Sequence, residues 1–122
     1  MSTTIYGIKN CDTMKKAFTW LDTQGIAYTF HDYRKSGISP DTLARWCDRL
    51  GWEALVNKRG TTWRKLDPAQ QAIASAADAI ALMAAHTSVI RRPVMETASG
   101  EIVAGFDPEH LATLFAREGA RP

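Results

Sequence analysis

Cys11 stands between a short strand-like run, Thr3-Thr4-Ile5-Tyr6-Gly7-Ile8, and a segment in which Met14, Phe18 and Leu21 recur at helical spacing. A cysteine at the start of a helix meets the unpaired amide groups of the first turn and the positive end of the helix dipole. Both favour the thiolate, the form in which cysteine is a nucleophile. Lys9, Lys15, Lys16 and any nearby arginine should lower its pKa further and Asp12 should raise it, with a net depression expected. Asn10 and Thr13 are candidate hydrogen-bond partners of the sulfur, or serve only to shape the turn and cap the helix.

Other reactive residue types give weaker signals. Cys47 falls in Asp41-Thr42-Leu43-Ala44-Arg45-Trp46-Cys47-Asp48-Arg49-Leu50, where Leu43, Trp46, Cys47 and Leu50 form one apolar helical face. It reads as a small core residue, the alternative being that it resolves an oxidised Cys11. Two widely separated cysteines give neither a disulfide framework nor a local zinc site, and they fit a reducing compartment. His31, His86 and His110 lack the spacing of metal ligands, so no metal is expected. Trp20, Trp46, Trp52 and Trp63 read first as packing residues, with Trp63 a candidate to line a site. The Lys15-Lys16 pair reads first as a solvated helix face.

The elements that must position Cys11 are legible around it. At 122 residues and 45% hydrophobic content, the chain is sized for one compact domain. A net charge of +2 without a dense Lys/Arg tract points to small anionic partners rather than nucleic acid. There is no apolar run of membrane-spanning length and no secretory signal pattern, so a cytoplasmic protein without membrane association is expected.

Residues 3 to 33 read as strand, helix, strand, with strands at Thr3 to Gly7 and Tyr28 to Tyr33 and a helix from Asp12 to Thr23 closed by Gly25. This βαβ unit implies a parallel strand pair. A helical insert of about residues 38–88 follows, opened by Pro40-Asp41, with Ile73, Ala77, Ile80 and Ala81 or Ala84 as its last apolar face. Arg91 to Glu96 and Glu101 to Ala104 then form a hairpin about Ala98-Ser99-Gly100. Asp107-Pro108 starts a closing helix with Leu111, Leu114 and Phe115 on one face. The order βαβ, insert, ββα predicts an α/β, thioredoxin-like fold with a mixed sheet flanked by helices. It covers residues 1–117 as a single domain, with a flexible tail at 118–122.

Three segments, Tyr6-Gly7-Ile8-Lys9-Asn10-Cys11-Asp12-Thr13, Asn57-Lys58-Arg59-Gly60-Thr61-Thr62-Trp63-Arg64 and Arg91-Arg92-Pro93-Val94, together resemble the arsenate-reductase-like (ArsC/Spx) family, most closely its YffB branch. The resemblance spans nearly the whole chain and implies a thioredoxin fold with a nucleophilic thiol. Spx-type regulators carry C-x-x-C at the helix start. Here Met14 holds the fourth position, so no local disulfide can form. A single-cysteine mechanism remains, with glutathione as the resolving co-substrate.

The resemblance also carries over site residues. Arg59 and Arg92 match two arginines that hold an oxyanion in the arsenate reductases, whereas Phe106 stands where a third is expected. Only one of Arg91 and Arg92 should face the thiol, because adjacent strand residues point to opposite sides. Pro93 should follow a cis peptide bond, leaving backbone groups of residue 92 to pair with a peptide-like thiol.

The favoured reading is a glutathione-dependent thiol oxidoreductase. Cys11 acts as nucleophile, and Arg59, Arg92, Asn10, Thr13 and Pro93 form its substrate, glutathione or oxyanion site. Two alternatives are a glutathione- or glutaredoxin-linked arsenate reductase and an Spx-like, non-enzymatic RNA polymerase-binding regulator.

Overall fold

The computed structural model describes residues 3–119, which fall into two compact units. The first joins the residues up to His31 with those from Arg92 onward, and the second is Asp32–Arg91. The second corresponds to the expected helical insert, longer at both ends than residues 38–88.

The first unit is built on a mixed four-stranded sheet flanked by helices. Strands β1 (Thr3–Gly7), β2 (Tyr28–Asp32), β3 (Val94–Glu96) and β4 (Ile102–Ala104) lie in the order β2-β1-β3-β4. Along β1, Thr3, Ile5 and Gly7 are buried while Thr4 and Tyr6 are half-buried, the alternation of a strand covered more deeply on one face. β3 runs antiparallel to both neighbours, with Ile5 opposite Met95 and Met95 opposite Val103. On the other face, the Tyr6 hydroxyl donates to Glu96 Oε1 at 2.6 Å and ties the two central strands together.

Helices α1 (Asp12–Thr23) and α8 (Pro108–Gly119) supply the rest of this core. Ile5, Met14, Ala17, Leu21, Met95, Val103, Leu111 and Leu114 form one buried cluster. Gly7 is required at the end of β1 because Met14 is packed against it. A Cβ on residue 7 would stand 2.6 Å from Met14 Cε, and Met14 is fully buried. Helix α8 starts as its sequence predicts, with Asp107 Oδ1 accepting the His110 N–H at 3.3 Å and Pro108 in the first helical position. It continues to Gly119, two residues into the expected tail. Residues 120–122 of that tail lie outside the described residues.

The second unit contains six helices, α2 (Tyr33–Ser36), α3 (Pro40–Leu50), α4 (Trp52–Leu55), α5 (Thr61–Lys65), α6 (Pro68–Gln71) and α7 (Ala76–Ala85), followed by a 3₁₀ turn at Thr87–Val89. Two sequence expectations change here. Tyr33 is not the last residue of β2 but the first of α2, because Asp32 caps that helix by accepting the Arg34 N–H at 2.8 Å.

The expected last apolar face of Ile73, Ala77, Ile80 and Ala81 or Ala84 does not lie on one helix, because Ile73 falls in the break between α6 and α7. Ser75 caps α7 through the Asp78 N–H, which starts a new helix at Ala76. Its buried face is Ala79, Leu82 and Met83, while Ala77 and Ala81 are exposed and Ile80 and Ala84 are half-buried. The two bulky residues Leu82 and Met83 go inward and carry Ala79 with them, while Ala77 and Ala81 are left outside. α3 packs against α7, with Leu43 and Trp46 fully buried and Cys47 buried beside them, as their spacing predicts.

Candidate functional site

The strand-to-helix junction after β1 places Cys11 as the N-cap of α1, in extended backbone at φ −141° and ψ 130°, with its carbonyl accepting the Lys15 N–H at 2.9 Å. The side chain is half-buried and packs against the core cluster of its unit. Burial is the largest influence on its titration and pushes the thiol up. It is outweighed by the Met14 backbone N–H, the Arg92 guanidinium, the Thr13 backbone N–H and the positive charge of Arg92. The Cys11 pKa therefore lies below the ordinary thiol value of 9.0.

These contacts to sulfur are looser than the oxygen caps elsewhere in the chain. Ser39 Oγ accepts the Thr42 N–H at 3.1 Å and Asp67 Oδ1 accepts the Gln70 N–H at 2.9 Å, whereas Cys11 makes no cap bond of that kind. First-turn amides and Arg92 act together on the sulfur, as donors first and through the Arg92 charge last.

Arg92 reaches Cys11 because of the sheet. β3 is antiparallel to β1, with Val94 opposite Tyr6, so the chain preceding β3 lies toward the end of β1 from which Cys11 follows. The Arg92-Pro93 peptide bond is cis, Pro93 is buried, and the Pro93 carbonyl accepts the Gly105 N–H at 2.8 Å. Arg91 has a different role. Its Nε donates to the Ala54 carbonyl at 3.0 Å and its N–H to the Leu55 carbonyl at 2.7 Å, inside the second unit. The two adjacent arginines thus serve different sites, but not through strand alternation: β3 begins at Val94, not at the expected Arg91, and both arginines precede it.

The other sequence candidates divide clearly. Thr13 acts on Cys11 through its backbone N–H and not through its hydroxyl, and Asn10 is exposed and not among the groups that lower the thiol pKa. Nor are Lys9, Lys15, Lys16 or Asp12: of the expected influences, the first-turn amides and one arginine, Arg92, act on the thiol. Arg59 belongs to the second unit, where it is exposed and its N–H donates to Asn57 Oδ1 at 3.1 Å. Beside it, Lys58 Nζ lies 5.5 Å from the ring centre of Trp63 and 6.0 Å from that of Trp52.

The histidines take structural contacts. His31 packs against Tyr6 with ring centres 5.0 Å apart and ring planes tilted by 40°, and His86 Nε2 is 3.4 Å from Gln70 Nε2. Cys47 is a free thiol, as is Cys11, but burial and then Asp48 push its pKa up.

A strand, a cysteine capping the next helix, and an arginine beside a cis-proline before an antiparallel hairpin are the features the three sequence segments predict. A family model described as the ArsC family matches residues 6–114. The chain belongs to the ArsC family. Among solved structures it is similar to a YffB protein, at 51% identity and a TM-score of 0.88, over 92% of this chain and 97% of the other. It also resembles an arsenate reductase from Vibrio cholerae, at 26% identity and a TM-score of 0.77, over 93% and 97% of the two chains.

Among curated proteins, an uncharacterized protein of Haemophilus influenzae is 39% identical over 93% of this chain and 98% of its own length. The global transcriptional regulator Spx of Streptococcus mutans is 25% identical over 94% and 84%. This ArsC-family chain thus resembles both an enzyme and a regulator, and the chemistry of its own site must separate them. Among the described residues, no helix is long and apolar enough to cross a membrane.

Proposed function

We propose that this protein is a cytoplasmic, glutathione-dependent monothiol oxidoreductase in which Cys11 is the nucleophile. The observation that carries the reading is the convergence of two backbone amides and Arg92 on a thiol whose pKa they hold below the ordinary value. Such a thiolate attacks an oxidised sulfur and forms a mixed disulfide. Met14 in place of a second motif cysteine leaves the adduct without a local resolving thiol, so an external one completes the cycle. Glutathione serves as that thiol. With a substrate–glutathione mixed disulfide, the first step breaks its S–S bond, joins Cys11 Sγ to the glutathione sulfur and releases the substrate thiolate. In the second step a second glutathione thiolate displaces Cys11 and leaves as oxidised glutathione.

In this reading Arg92 has two roles. It stabilises the Cys11 thiolate and offers a guanidinium to an anionic group of the incoming substrate. Pro93 shapes the adjoining backbone, and the Thr13 amide completes the cap. Asn10 and Arg59 are carried by the family motif. Arg59→Ala tests an anion-binding role by raising KM without moving the titration of Cys11.

Arsenate reduction is a second reading, favoured by the likeness to the Vibrio cholerae arsenate reductase. It uses the same thiolate, and glutathione or glutaredoxin would complete that cycle too. Phe106, where a third oxyanion-binding arginine is expected, counts against it.

The deciding experiment combines intact mass after incubation with oxidised glutathione and the iodoacetamide rate against pH, on the wild type and Cys11→Ser. Arsenate-dependent NADPH oxidation in the presence of glutathione, glutaredoxin and glutathione reductase is measured alongside. One Cys11-dependent glutathione adduct and an inflection below 9.0 support the oxidoreductase. Arsenate-dependent turnover would select the second reading. Ordinary thiol titration without an adduct would sink both and favour an Spx-like regulator that contacts RNA polymerase.

A further inference from the structure

Cys11, Lys15, Thr19 and Thr23 recur every four residues and form one row along α1. The Lys15 N–H is bonded to the Cys11 carbonyl, so Lys15 stands one turn above the cysteine. Side chains on a helix lean toward its N-terminus, which turns Lys15 toward the thiol end of the row.

Beyond it lies an open groove of about 440 Å³, lined by Lys15, Lys16, Thr19, Trp20, Thr23 and Phe106. Trp20 and Phe106 are half-buried and also pack against the core cluster that Cys11 touches. The groove is therefore lined by two lysines and by the rings of Trp20 and Phe106, charge and apolar surface side by side. An arginine at position 106 would place a charge in its wall, whereas the ring that stands there extends the apolar surface.

We propose that this groove selects the substrate of Cys11 by holding the apolar group of a glutathione mixed disulfide, with Lys15 and Lys16 meeting the glutathione carboxylates. The inference rests on the thiol-exchange reading and adds its substrate class. Attack on a disulfide is in line, so the leaving sulfur lies on the far side of the glutathione sulfur from Cys11. The Gly105 N–H on the Pro93 carbonyl sets Phe106 beside the turn that carries Arg92 to Cys11, so a leaving group that passes over Phe106 enters the groove.

The balance is that of the exchange described above. The Cys11 thiolate bonds to the glutathione sulfur, the apolar thiol leaves as its thiolate and takes a proton from water, and a second glutathione restores Cys11 as oxidised glutathione departs. Net, the mixed disulfide and glutathione become the apolar thiol and oxidised glutathione. Phe106 is the specificity-determining residue.

Unreactive thioethers isolate binding from chemistry. Calorimetric titration of the reduced full chain should show S-hexylglutathione binding about tenfold tighter than S-methylglutathione, a factor that burial of roughly two methylenes supplies. Phe106→Arg should bring the two affinities within about twofold, since the charge removes the apolar advantage. Thr19→Arg, at an exposed helix position that tolerates substitution, should do the same and keeps the test valid if Phe106→Arg fails to fold. Lys15→Glu with Lys16→Glu should weaken both ligands together and leave their ratio.

Equal affinities in the wild type, or a tenfold ratio that survives Phe106→Arg and Thr19→Arg, would overturn the proposal. The Cys11 adduct with oxidised glutathione, read by mass, reports separately on the thiol-exchange reading. An adduct with equal affinities sinks the groove alone, and a tenfold ratio without an adduct keeps the binding preference while removing the exchange chemistry.

Discussion

The two cysteines of this protein occupy opposite ends of what a helix can do to a thiol. Cys11 precedes the first turn of α1, where backbone N–H groups have no helical partner, and those amides together with Arg92 hold its pKa down. Cys47 lies inside α3, where the backbone amides are already bonded, and burial with Asp48 holds its pKa up. Reactivity is thus decided by position along a helix and by the neighbouring charge, not by residue type. Each unit contains one thiol and its own core, so the comparison can be tested on both sides.

The largest expected effect is on the adduct itself. Cys11→Ser should abolish glutathionylation by oxidised glutathione, whereas Cys47→Ala should leave one adduct per chain by intact mass. Loss of the adduct in Cys47→Ala would break the comparison and make Cys47 a participant.

Next come the cores. Leu21→Ala in the first unit and Trp46→Ala in the second remove fully buried side chains, and each should cost about 2–5 kcal/mol in chemical denaturation. Hydrogen exchange on each variant then shows whether the two units open together or one at a time.

Smaller effects probe the thiolate. Arg92→Ala should move the alkylation inflection upward, with the rate below it falling about tenfold for each unit of the rise. Arg92→Lys should retain part of the effect as a charge without the planar fork.

The two cysteines should also differ in the sign of their linkage to pH. For Cys11 the folded pKa is lowered, so its contribution to stability is present above the unfolded value of 9.0 and is lost as pH falls through the folded pKa. For Cys47 the folded pKa is raised, so its contribution is present below 9.0 and is lost as pH rises through the folded pKa. Denaturation of Cys11→Ser and Cys47→Ala from neutral to alkaline pH should therefore diverge from the wild type in opposite directions. The smallest expected changes are at caps. Asp107→Ala and Ser39→Ala should each cost about 1 kcal/mol, read as a shift in denaturation midpoint.

Short-range signals in the sequence determined a great deal. The β1 run, the helix at Cys11, the Pro40-Asp41 and Asp107-Pro108 starts and the Ala98-Ser99-Gly100 turn each depend on a few neighbouring residues, and each stands in the structure where the sequence puts it. The buried face of α3 was legible because Leu43, Trp46 and Cys47 combine periodicity with bulk. α7 was not. Its alanines carry little burial energy, so the face is selected by where Leu82 and Met83 find partners.

The electrostatics of the thiol were legible in direction and in the part played by the first-turn amides, but not in which cation acts. Lys9, Lys15 and Lys16 are near Cys11 in sequence, while Arg92, far along the chain, is the cation that acts on it. That choice, and the choice of Arg92 over Arg91, belongs to strand pairing, which joins residues by register and not by distance along the chain. Phe106 follows the same logic. The sequence by itself shows an aromatic ring where an arginine is expected, but only the packed unit sets that ring beside the Lys15 face of α1. The sequence alone determined the nucleophile and its place at a helix start, because capping and periodicity act within a turn or two. The tertiary structure decided which distant side chains converge on it, because that depends on pairing and packing across the whole unit.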